Sequence, residues 1–218
     1  MKKQLIIFDL DGTLLNTLDD LADSTNIMLK HFNYPARTKE EVRNFVGNGV
    51  AKLIERAIPD GRNNPKFEDC LNMFKQIYPK NMYNKTAPYP HIIEMLETLK
   101  INGYKTAVVS NKFDLAVKDL CKNYFPNLID FASGENEAGG IKKKPAPDTV
   151  LNVLKFFGLE NSDAIYVGDS EVDIQTAKNC GMECISVIWG FKDKEFLINN
   201  GAKIIADKPS QITHFLDD

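Results

Sequence analysis

Short apolar segments recur along the chain, and stretches with the period of amphipathic helices separate them. The apolar segments are Leu5–Phe8, Thr106–Val109, Ala164–Val167, Cys184–Ile188 and, with a weaker pattern, Lys203–Ala206. They do not alternate with polar residues, which is typical of strands covered on both faces in a parallel sheet. Helices are predicted over Pro90–Lys100, Pro147–Phe157 and Ser170–Asn179. This order predicts an α/β fold with a doubly wound parallel sheet.

One interval, 17–85, breaks the alternation because it contains no strand-like run. Helices are predicted over four of its segments: Leu18–Phe32, the segment opened by the capping box Thr38-Lys39-Glu40-Glu41, Val50–Ala57 and Phe67–Met82. We therefore predict two domains. The α/β core comprises 1–16 and 86–218, and a separate helical domain is inserted as 17–85.

Composition and charge narrow the class of protein. A hydrophobic fraction of 43% over 218 residues is enough for a buried core, so disorder is not indicated. The net charge of -3, with both signs interspersed, argues against a nucleic-acid partner. The apolar stretch after Met1-Lys2-Lys3 is too short for a signal sequence, and no segment approaches a membrane span. With four cysteines and no C-x-x-C pair, we expect a soluble cytoplasmic protein. The sequence does not decide between a monomer and a homodimer.

Polar residues follow the predicted strands at the points where these strands end. They are Asp9, Asp11 and Thr13 after the first strand, Ser110, Asn111 and Lys112 after the second, Asp169, Ser170 and Asp173 after the third, and Lys144 in the segment before the third. Ligands of open parallel sheets bind at the carboxyl ends of strands, where the strand order reverses. We therefore expect these residues to share one site.

The predicted site is strongly acidic. Its four aspartates would carry four negative charges, of which Lys144 offsets one, so the cluster needs a cation. All the donors are hard oxygens, which favours Mg²⁺. We predict that the side chains of Asp9 and Asp169 and the backbone carbonyl of Asp11 bind it.

A carboxylate beside a metal ion suggests phosphoryl chemistry. One of the carboxylates can attack phosphorus and form an aspartyl phosphate, while Lys144 and the metal offset the repulsion between two anions. Ser110 and loop N–H groups would hold the phosphoryl oxygens. Surrounding negative charge favours the protonated form of Asp11, which can then protonate the leaving alkoxide and later deprotonate the attacking water.

Four motifs in this order resemble those of the haloacid dehalogenase superfamily of phosphatases. They are "DLDGT" at Asp9–Thr13, Ser110, Lys144 and "GDSEVD" at Gly168–Asp173. The resemblance implies a Rossmann-like core with a helical cap and these roles: nucleophile Asp9, acid/base Asp11, phosphate binder Ser110, electrostatic Lys144, metal ligand Asp169 and metal support Asp173. True dehalogenases lack an acid at the position of Asp11, so its presence favours phosphoryl transfer.

Within the superfamily, "FVGNGVAKLIERAIP" at Phe45–Pro59 resembles the cap segment of phosphoglycolate phosphatases, as do "VVSNK" and "KKPAPD" elsewhere in the chain. This resemblance implies a small phosphorylated metabolite as substrate, with 2-phosphoglycolate first. A pyrophosphatase and a β-phosphoglucomutase-like sugar-phosphate enzyme are the alternatives. The chain departs from the pattern at Asn16, where Asp is frequent, and at His91, where glycine is expected; both lie near the cap joints.

Further candidates surround these motifs. Thr13 and Asn111 are predicted to contact the phosphate with Ser110, and the bare backbone at Gly47 would approach the substrate from the cap. If the substrate bears a carboxylate, Lys112 or Arg56 would bind it, although such residues are more often surface charges.

Some of these assignments have alternatives. Lys143 could replace Lys144 in the site, and Asp173 could cap the helix that follows it. The segment Trp189-Gly190-Phe191 is interpreted as packing that could also border the site.

Two other classes of protein share part of this chemistry. A signalling receiver domain also combines Mg²⁺ with a phosphorylated aspartate, but it has no large helical insertion after its first strand and carries the nucleophile on a later one. A binding protein that has lost turnover would keep the fold. The presence of every motif residue argues against it.

Overall fold

The computed structural model describes residues 3–136 and 139–217. The chain divides into two compact units, one of Met1–Leu15 with Pro88–Asp218 and one of Asn16–Ala87. The first boundary lies one residue before the one drawn from the sequence, and the second lies two residues after it.

The first unit is built on a parallel sheet. The strands of the described chain are β1 Leu5–Phe8, β2 Leu15–Asn16, β3 Ala87–Pro88, β4 Lys105–Phe113, β5 Phe131–Glu135, β6 Ala164–Gly168, β7 Cys184–Val187 and β8 Ile204–Ala206. Six of them form one sheet in the order β5-β4-β1-β6-β7-β8, with parallel pairing throughout. Strands β2 and β3, where the chain passes between the units, form a separate pair. The predicted fold class is confirmed.

Helices connect these strands and fill the second unit. Those of the described chain are α1 Leu18–His31, α2 Lys39–Phe45, α3 Val50–Ala57, α4 Phe67–Asn81, α5 Ile92–Ile101, α6 Asp114–Tyr124, α7 Asp148–Phe157, α8 Glu171–Asn179, α9 Lys194–Asn199 and α10 Ser210–Asp217. The second unit thus contains α1 to α4 and a short 3₁₀ turn at Gly61–Asn63. The predicted capping box is confirmed, since the Thr38 hydroxyl accepts from the Glu41 N–H and the Glu41 carboxylate accepts from the Thr38 N–H.

The order of the sheet determines where a ligand can bind. All four residues of β1 are fully buried, and Phe8 is paired with Val108 of β4 on one side and Val167 of β6 on the other. The chain adds β4 and β5 on one side of β1, then crosses to add β6, β7 and β8 on the other. The strand order therefore reverses at β1 and β6, and the residues after these strands line the crevice at this switch point.

Some elements were not predicted from the sequence. Strand β5 was not predicted because only one of its five residues is buried. Its sequence therefore lacks the continuous apolar run that is typical of an inner strand. It lies at the edge of the sheet, and a Cβ at Gly134 would overlap the backbone of Lys112 and Asp114. Helices α6, α9 and α10 were also missing from the prediction.

The two departures from the family pattern have local explanations. His91 precedes α5 with φ +65°, a left-handed conformation that glycine adopts more easily but histidine tolerates. The Asn16 side-chain oxygen accepts a hydrogen bond from the Leu18 N–H at 3.4 Å, at the start of α1.

In the second unit, the buried carboxylate of Asp20 fixes the returning chain to α1. It accepts hydrogen bonds from the backbone N–H groups of Lys85 and Thr86 and from the Thr86 hydroxyl, at 2.8 to 3.1 Å. Asp20 is 1% exposed. Because a buried charge needs such donors, this contact fixes the last residues of the unit to its first helix.

Candidate active site

The loop after β1 carries the first acidic pair. The Asp9 N–H donates to the Val167 carbonyl at 2.9 Å, which continues the β1–β6 pairing by one residue and leaves the side chain at the end of the strand. Gly12 follows with φ +88°, and a Cβ there would overlap the carboxylate of Asp169. The glycine is required both by this turn and by the close approach of β6.

The loop after β6 supplies the second acidic pair. A carboxylate oxygen of Asp173 accepts from the N–H of Ser170 at 3.1 Å and from its hydroxyl at 2.6 Å, which completes a capping box at the start of α8. The capping role proposed for Asp173 is therefore real. Its other oxygen receives the Lys144 ammonium at 2.7 Å, so the same side chain also belongs to the site.

Lys144 connects the two acidic loops. Its ammonium lies 2.9 Å from Oδ1 of Asp9 and 2.7 Å from Oδ1 of Asp173, and it donates to the Tyr166 hydroxyl at 3.1 Å. The Asn111 side chain holds the Lys144 backbone, accepting from its N–H at 2.8 Å and donating to its carbonyl at 3.0 Å. Of the three consecutive lysines only Lys144 is buried, which favours it over Lys143.

Asp11 has a different cationic partner. The ammonium of Lys112, at the end of β4, lies 2.8 Å from both carboxylate oxygens of Asp11. The sequence had placed only negative charge around Asp11, so this ion pair changes the expected surroundings of the acid/base candidate. The Ser110 hydroxyl accepts from the Lys112 N–H at 3.3 Å.

Both carboxylate oxygens of Asp169 are held by hydrogen bonds. Oδ1 accepts from the Thr13 hydroxyl at 3.2 Å, and Oδ2 accepts from the Phe191 N–H at 2.7 Å. The Trp189 indole N–H donates to the Thr13 carbonyl at 2.9 Å, and a Cβ at Gly190 would overlap the Gly12 carbonyl and Asp169. The segment after β7, interpreted mainly as packing, therefore supports the site directly. Gly190, three residues after the end of β7, is the feature of the sequence that could have indicated this supporting role.

Burial and neighbouring charges shift the ionisation of this cluster. Burial raises the pKa of Asp9 to about 7. The Lys144 ammonium lowers this pKa, and the Asp173 carboxylate raises it further. Burial also raises the pKa of Asp169 well above its ordinary value, and the charges of Asp173 and Asp9 add to this. For Lys144, burial alone would lower the pKa, but the carboxylates of Asp173 and Asp9 raise it well above its ordinary value.

The cluster fits a hard divalent cation. Asp9, Asp169 and Asp173 each offer a carboxylate oxygen, and these oxygens lie within 4.8 Å of one another. Oδ1 of Asp9 is buried and lacks an aligned hydrogen-bond donor among the described residues, although it is ion-paired with Lys144. Carboxylates without histidine or cysteine are the donor set that Mg²⁺ prefers, so these residues fit the predicted metal.

Contacts within the first unit join nine predicted site residues in two groups. One group is Asp9, Thr13, Asn111, Lys144, Asp169 and Asp173, and the other is Asp11, Ser110 and Lys112. Gly47 and Arg56 belong to the second unit. There the Arg56 guanidinium donates to the Phe45 carbonyl at 2.8 Å and to the Asn48 side-chain oxygen at 2.9 Å. Substrate contacts stay predictions for all six residues to which they were assigned: Thr13, Ser110, Asn111, Lys112, Gly47 and Arg56.

No helix in the described ranges has the length and apolarity needed to cross a bilayer.

The sequence of this chain is similar to those of known hydrolases. Residues 6–187 fit the family model of haloacid dehalogenase-like hydrolases. The chain is 35% identical over 190 residues to a phosphoglycolate phosphatase of Aquifex aeolicus (strain VF5), with 86% of each protein covered. It is 32% identical over 225 residues to phosphoglycolate phosphatase 1 of Pseudomonas aeruginosa, with 99% of this chain and 78% of that protein covered.

A solved structure extends the similarity to three dimensions. A protein from Lactobacillus delbrueckii subsp. bulgaricus, provisionally assigned as a phosphoglycolate phosphatase, superimposes with a TM-score of 0.94. The two sequences are 35% identical, and the comparison covers 99% of each chain.

Proposed function

The chain belongs to the haloacid dehalogenase-like hydrolase family, and from this premise we propose that it is a Mg²⁺-dependent phosphatase that hydrolyses 2-phosphoglycolate through an aspartyl phosphate. The observation that carries the proposal is the buried carboxylate of Asp9, 2.9 Å from the Lys144 ammonium and grouped with Asp169 and Asp173. The named relatives support the choice of substrate. The absence of disulfides at the four free cysteines is consistent with a cytoplasmic enzyme.

In the first half-reaction, a carboxylate oxygen of Asp9 attacks phosphorus and the bond from phosphorus to the ester oxygen breaks. Asp11 gives its proton to that oxygen, so the product leaves with a hydroxyl group and not as an alkoxide. The Lys144 ammonium remains beside Asp9 and lowers the repulsion between the nucleophile and the phosphoryl group.

In the second half-reaction, water attacks phosphorus of the aspartyl phosphate and the bond from phosphorus to the Asp9 oxygen breaks. Asp11 takes the proton from this water, which returns both aspartates to their starting states and releases inorganic phosphate. Asp11 therefore acts first as an acid and then as a base, as the family resemblance implies.

The metal would be held by Asp9 and Asp169, with the Asp11 backbone carbonyl as a third ligand and Asp173 in support. Bound there, Mg²⁺ supplies positive charge that offsets the clustered carboxylates and the incoming phosphate. Thr13 and the Phe191 N–H orient Asp169 for this purpose. The second unit would act as the cap, covering the site during the first half-reaction and admitting water for the second.

A phosphate-release assay tests the proposal. We expect hydrolysis of 2-phosphoglycolate that requires Mg²⁺ and exceeds hydrolysis of pyrophosphate and hexose phosphates. Asp9→Asn should lower the rate of hydrolysis by at least about 10³-fold. The variant should still fold in the absence of Mg²⁺. After acid quenching, the wild-type protein but not the variant should carry one added phosphoryl group.

Other results of this assay would assign a different reaction or refute the proposal. Faster hydrolysis of pyrophosphate would assign the pyrophosphatase alternative, and interconversion of sugar phosphates with little phosphate release would assign a mutase. Unchanged activity in Asp9→Asn would remove Asp9 as the nucleophile.

A further inference from the structure

Lys112 is buried against the group that must contact the leaving oxygen. Its side chain is 2% exposed, and its ammonium lies 2.8 Å from both oxygens of Asp11. The backbone of Lys112 is closely packed, since a Cβ at Gly134 of β5 would overlap its carbonyl. The ammonium is therefore directed at Asp11 from a fixed strand rather than from a surface loop.

Lys112 and Lys144 are the cationic side chains that the described part of the chain buries. Lys144 lies between Asp9 and Asp173, where it serves the phosphoryl group. Lys112 instead lies on the side of Asp11, and hence of the group that leaves. On the proposed mechanism, one buried ammonium would therefore lie beside the phosphoryl group and the other beside the leaving group.

We propose that Lys112 recognises the carboxylate of the substrate, and that this carboxylate replaces part of its ion pair with Asp11. The proposal rests on the proposed function. In 2-phosphoglycolate a single methylene carbon separates the leaving oxygen from the carboxylate. When Asp11 contacts the leaving oxygen, the carboxylate must lie in the immediate neighbourhood of Asp11, which is where the Lys112 ammonium is.

Charge favours this exchange. A carboxylate that enters without a cation would meet the aspartates of the cluster and be repelled. The Lys112 ammonium is already desolvated beside Asp11, so no new desolvation of the cation opposes the contact. A lysine has three N–H donors, which allows Lys112 to hold the substrate carboxylate and one Asp11 oxygen together.

The exchange would make Lys112 both a specificity residue and a positioning residue for Asp11. Before binding, the ammonium holds both oxygens of Asp11. With the substrate carboxylate bound, one Asp11 oxygen is released from the ion pair and takes up a proton from solvent, which is the proton that Asp11 then gives to the leaving oxygen. A phosphate ester without a carboxylate provides no competitor for Lys112 and leaves Asp11 paired.

The experiment compares 2-phosphoglycolate with ethyl phosphate, which has the same P–O–C–C chain but no carboxylate, and measures kcat and KM separately. We expect Lys112→Gln to lower kcat/KM for 2-phosphoglycolate by at least about 30-fold, with a raised KM, and to change that for ethyl phosphate much less. Lys112→Arg should restore part of the preference because it keeps the charge. Lys118→Gln, an exposed lysine of α6, is the matched control and should keep the wild-type preference.

Equilibrium binding tests the same point without turnover. Lys112→Gln leaves the Asp11 charge without its lysine, which can impair folding, so the binding experiment uses variants in which Asp11 is replaced as well. Asp11→Asn alone should still bind 2-phosphoglycolate more tightly than ethyl phosphate. The double variant Asp11→Asn with Lys112→Gln should lose this difference.

The outcomes separate the two proposals. A wild-type enzyme that hydrolyses both esters equally well would overturn the substrate assigned under Proposed function. A wild-type preference that persists in Lys112→Gln, or an equal loss for both esters, would overturn the role of Lys112 and leave the substrate assignment standing.

Discussion

The ammonium of Lys144 lies 2.9 Å from Oδ1 of Asp9, and both side chains are largely buried. The proposed nucleophile is thus one half of a buried ion pair. Such a pair adds little to stability over an apolar alternative, but loss of one member leaves a charge without its partner in a low-dielectric site. Asp173, on the same ammonium at 2.7 Å, would lose its partner too.

Replacing this lysine should therefore destabilise the fold as well as abolish activity. For Lys144→Gln we expect the free energy of unfolding at about pH 8 to fall by about 3 kcal/mol, the low end for a broken buried pair. Urea denaturation measures it. Lys142→Gln, the exposed neighbour, should remain close to the wild type, and a Lys144→Gln protein as stable as that control would contradict the prediction.

The stability of the metal-free protein should fall as pH rises. Because the pKa of Asp9 is about 7 in the fold and 3.8 ordinarily, the folded chain binds this proton more tightly than the unfolded chain. The resulting stabilisation is complete below 3.8 and is lost as pH rises through about 7, and the raised pKa of Asp169 acts in the same direction.

Thermal unfolding from about pH 5.5 to about pH 8 tests this trend. We expect Mg²⁺ to oppose the decline, because the ion binds the carboxylate forms and releases protons. Asp9→Asn removes one titrating group and should flatten the metal-free profile. A metal-free wild type that becomes steadily more stable over this range would refute the assignment.

Gly190→Ala should weaken the candidate metal site without replacing any proposed ligand. The added methyl group would overlap the Gly12 carbonyl and Asp169, so the two acidic loops must separate. We expect Mg²⁺ affinity, measured by titration calorimetry, to fall by at least about 10-fold, as for other losses of support behind a ligand. Gly103→Ala is the control, because it introduces backbone strain at a φ of +80° but its Cβ meets no atom within 4 Å. Equal Mg²⁺ affinity in both variants would show that the segment after β7 is only packing.

Asp20→Ala should destabilise the second unit by about 3 kcal/mol, because the N–H groups of Lys85 and Thr86 lose a buried charged acceptor. Hydrogen exchange of these amides, with urea denaturation, reports the loss. Asp23→Ala removes an acid that is paired with the Lys85 ammonium but exposed, and it should have little effect. If both variants exchange alike, the Asp20 contact is not what fixes the returning chain.

The sequence predicted the inner strands and the residues after them because both signals are local. Leu5–Phe8 is an unbroken apolar run, and Asp9 follows at once. The same logic found Asp169 after β6. The edge strand β5 could not be predicted in this way, since four of its five residues are only half-buried and its Gly134 is required by a close contact with distant backbone.

The missed parts of the site depend on contacts between distant segments. The pairing of Lys112 with Asp11 joins residues that are 101 positions apart, and no periodic pattern encodes which cation faces which acid. Trp189 and Phe191 act through an indole N–H and a backbone N–H. The Phe191 N–H is a backbone group that almost every residue has, and the acceptor of the Trp189 indole lies 176 positions away. The supporting role of this segment therefore appears only in three dimensions.

The central pairing of β1 with β6 also has a consequence during synthesis. The ribosome makes β1 early, but its neighbour on one side is translated only after most of the chain has emerged. Until then Asp9 has neither the Lys144 ammonium nor the second acidic loop beside it. On the proposed mechanism, a nascent chain cannot hydrolyse phosphate esters until the late strands have joined the sheet.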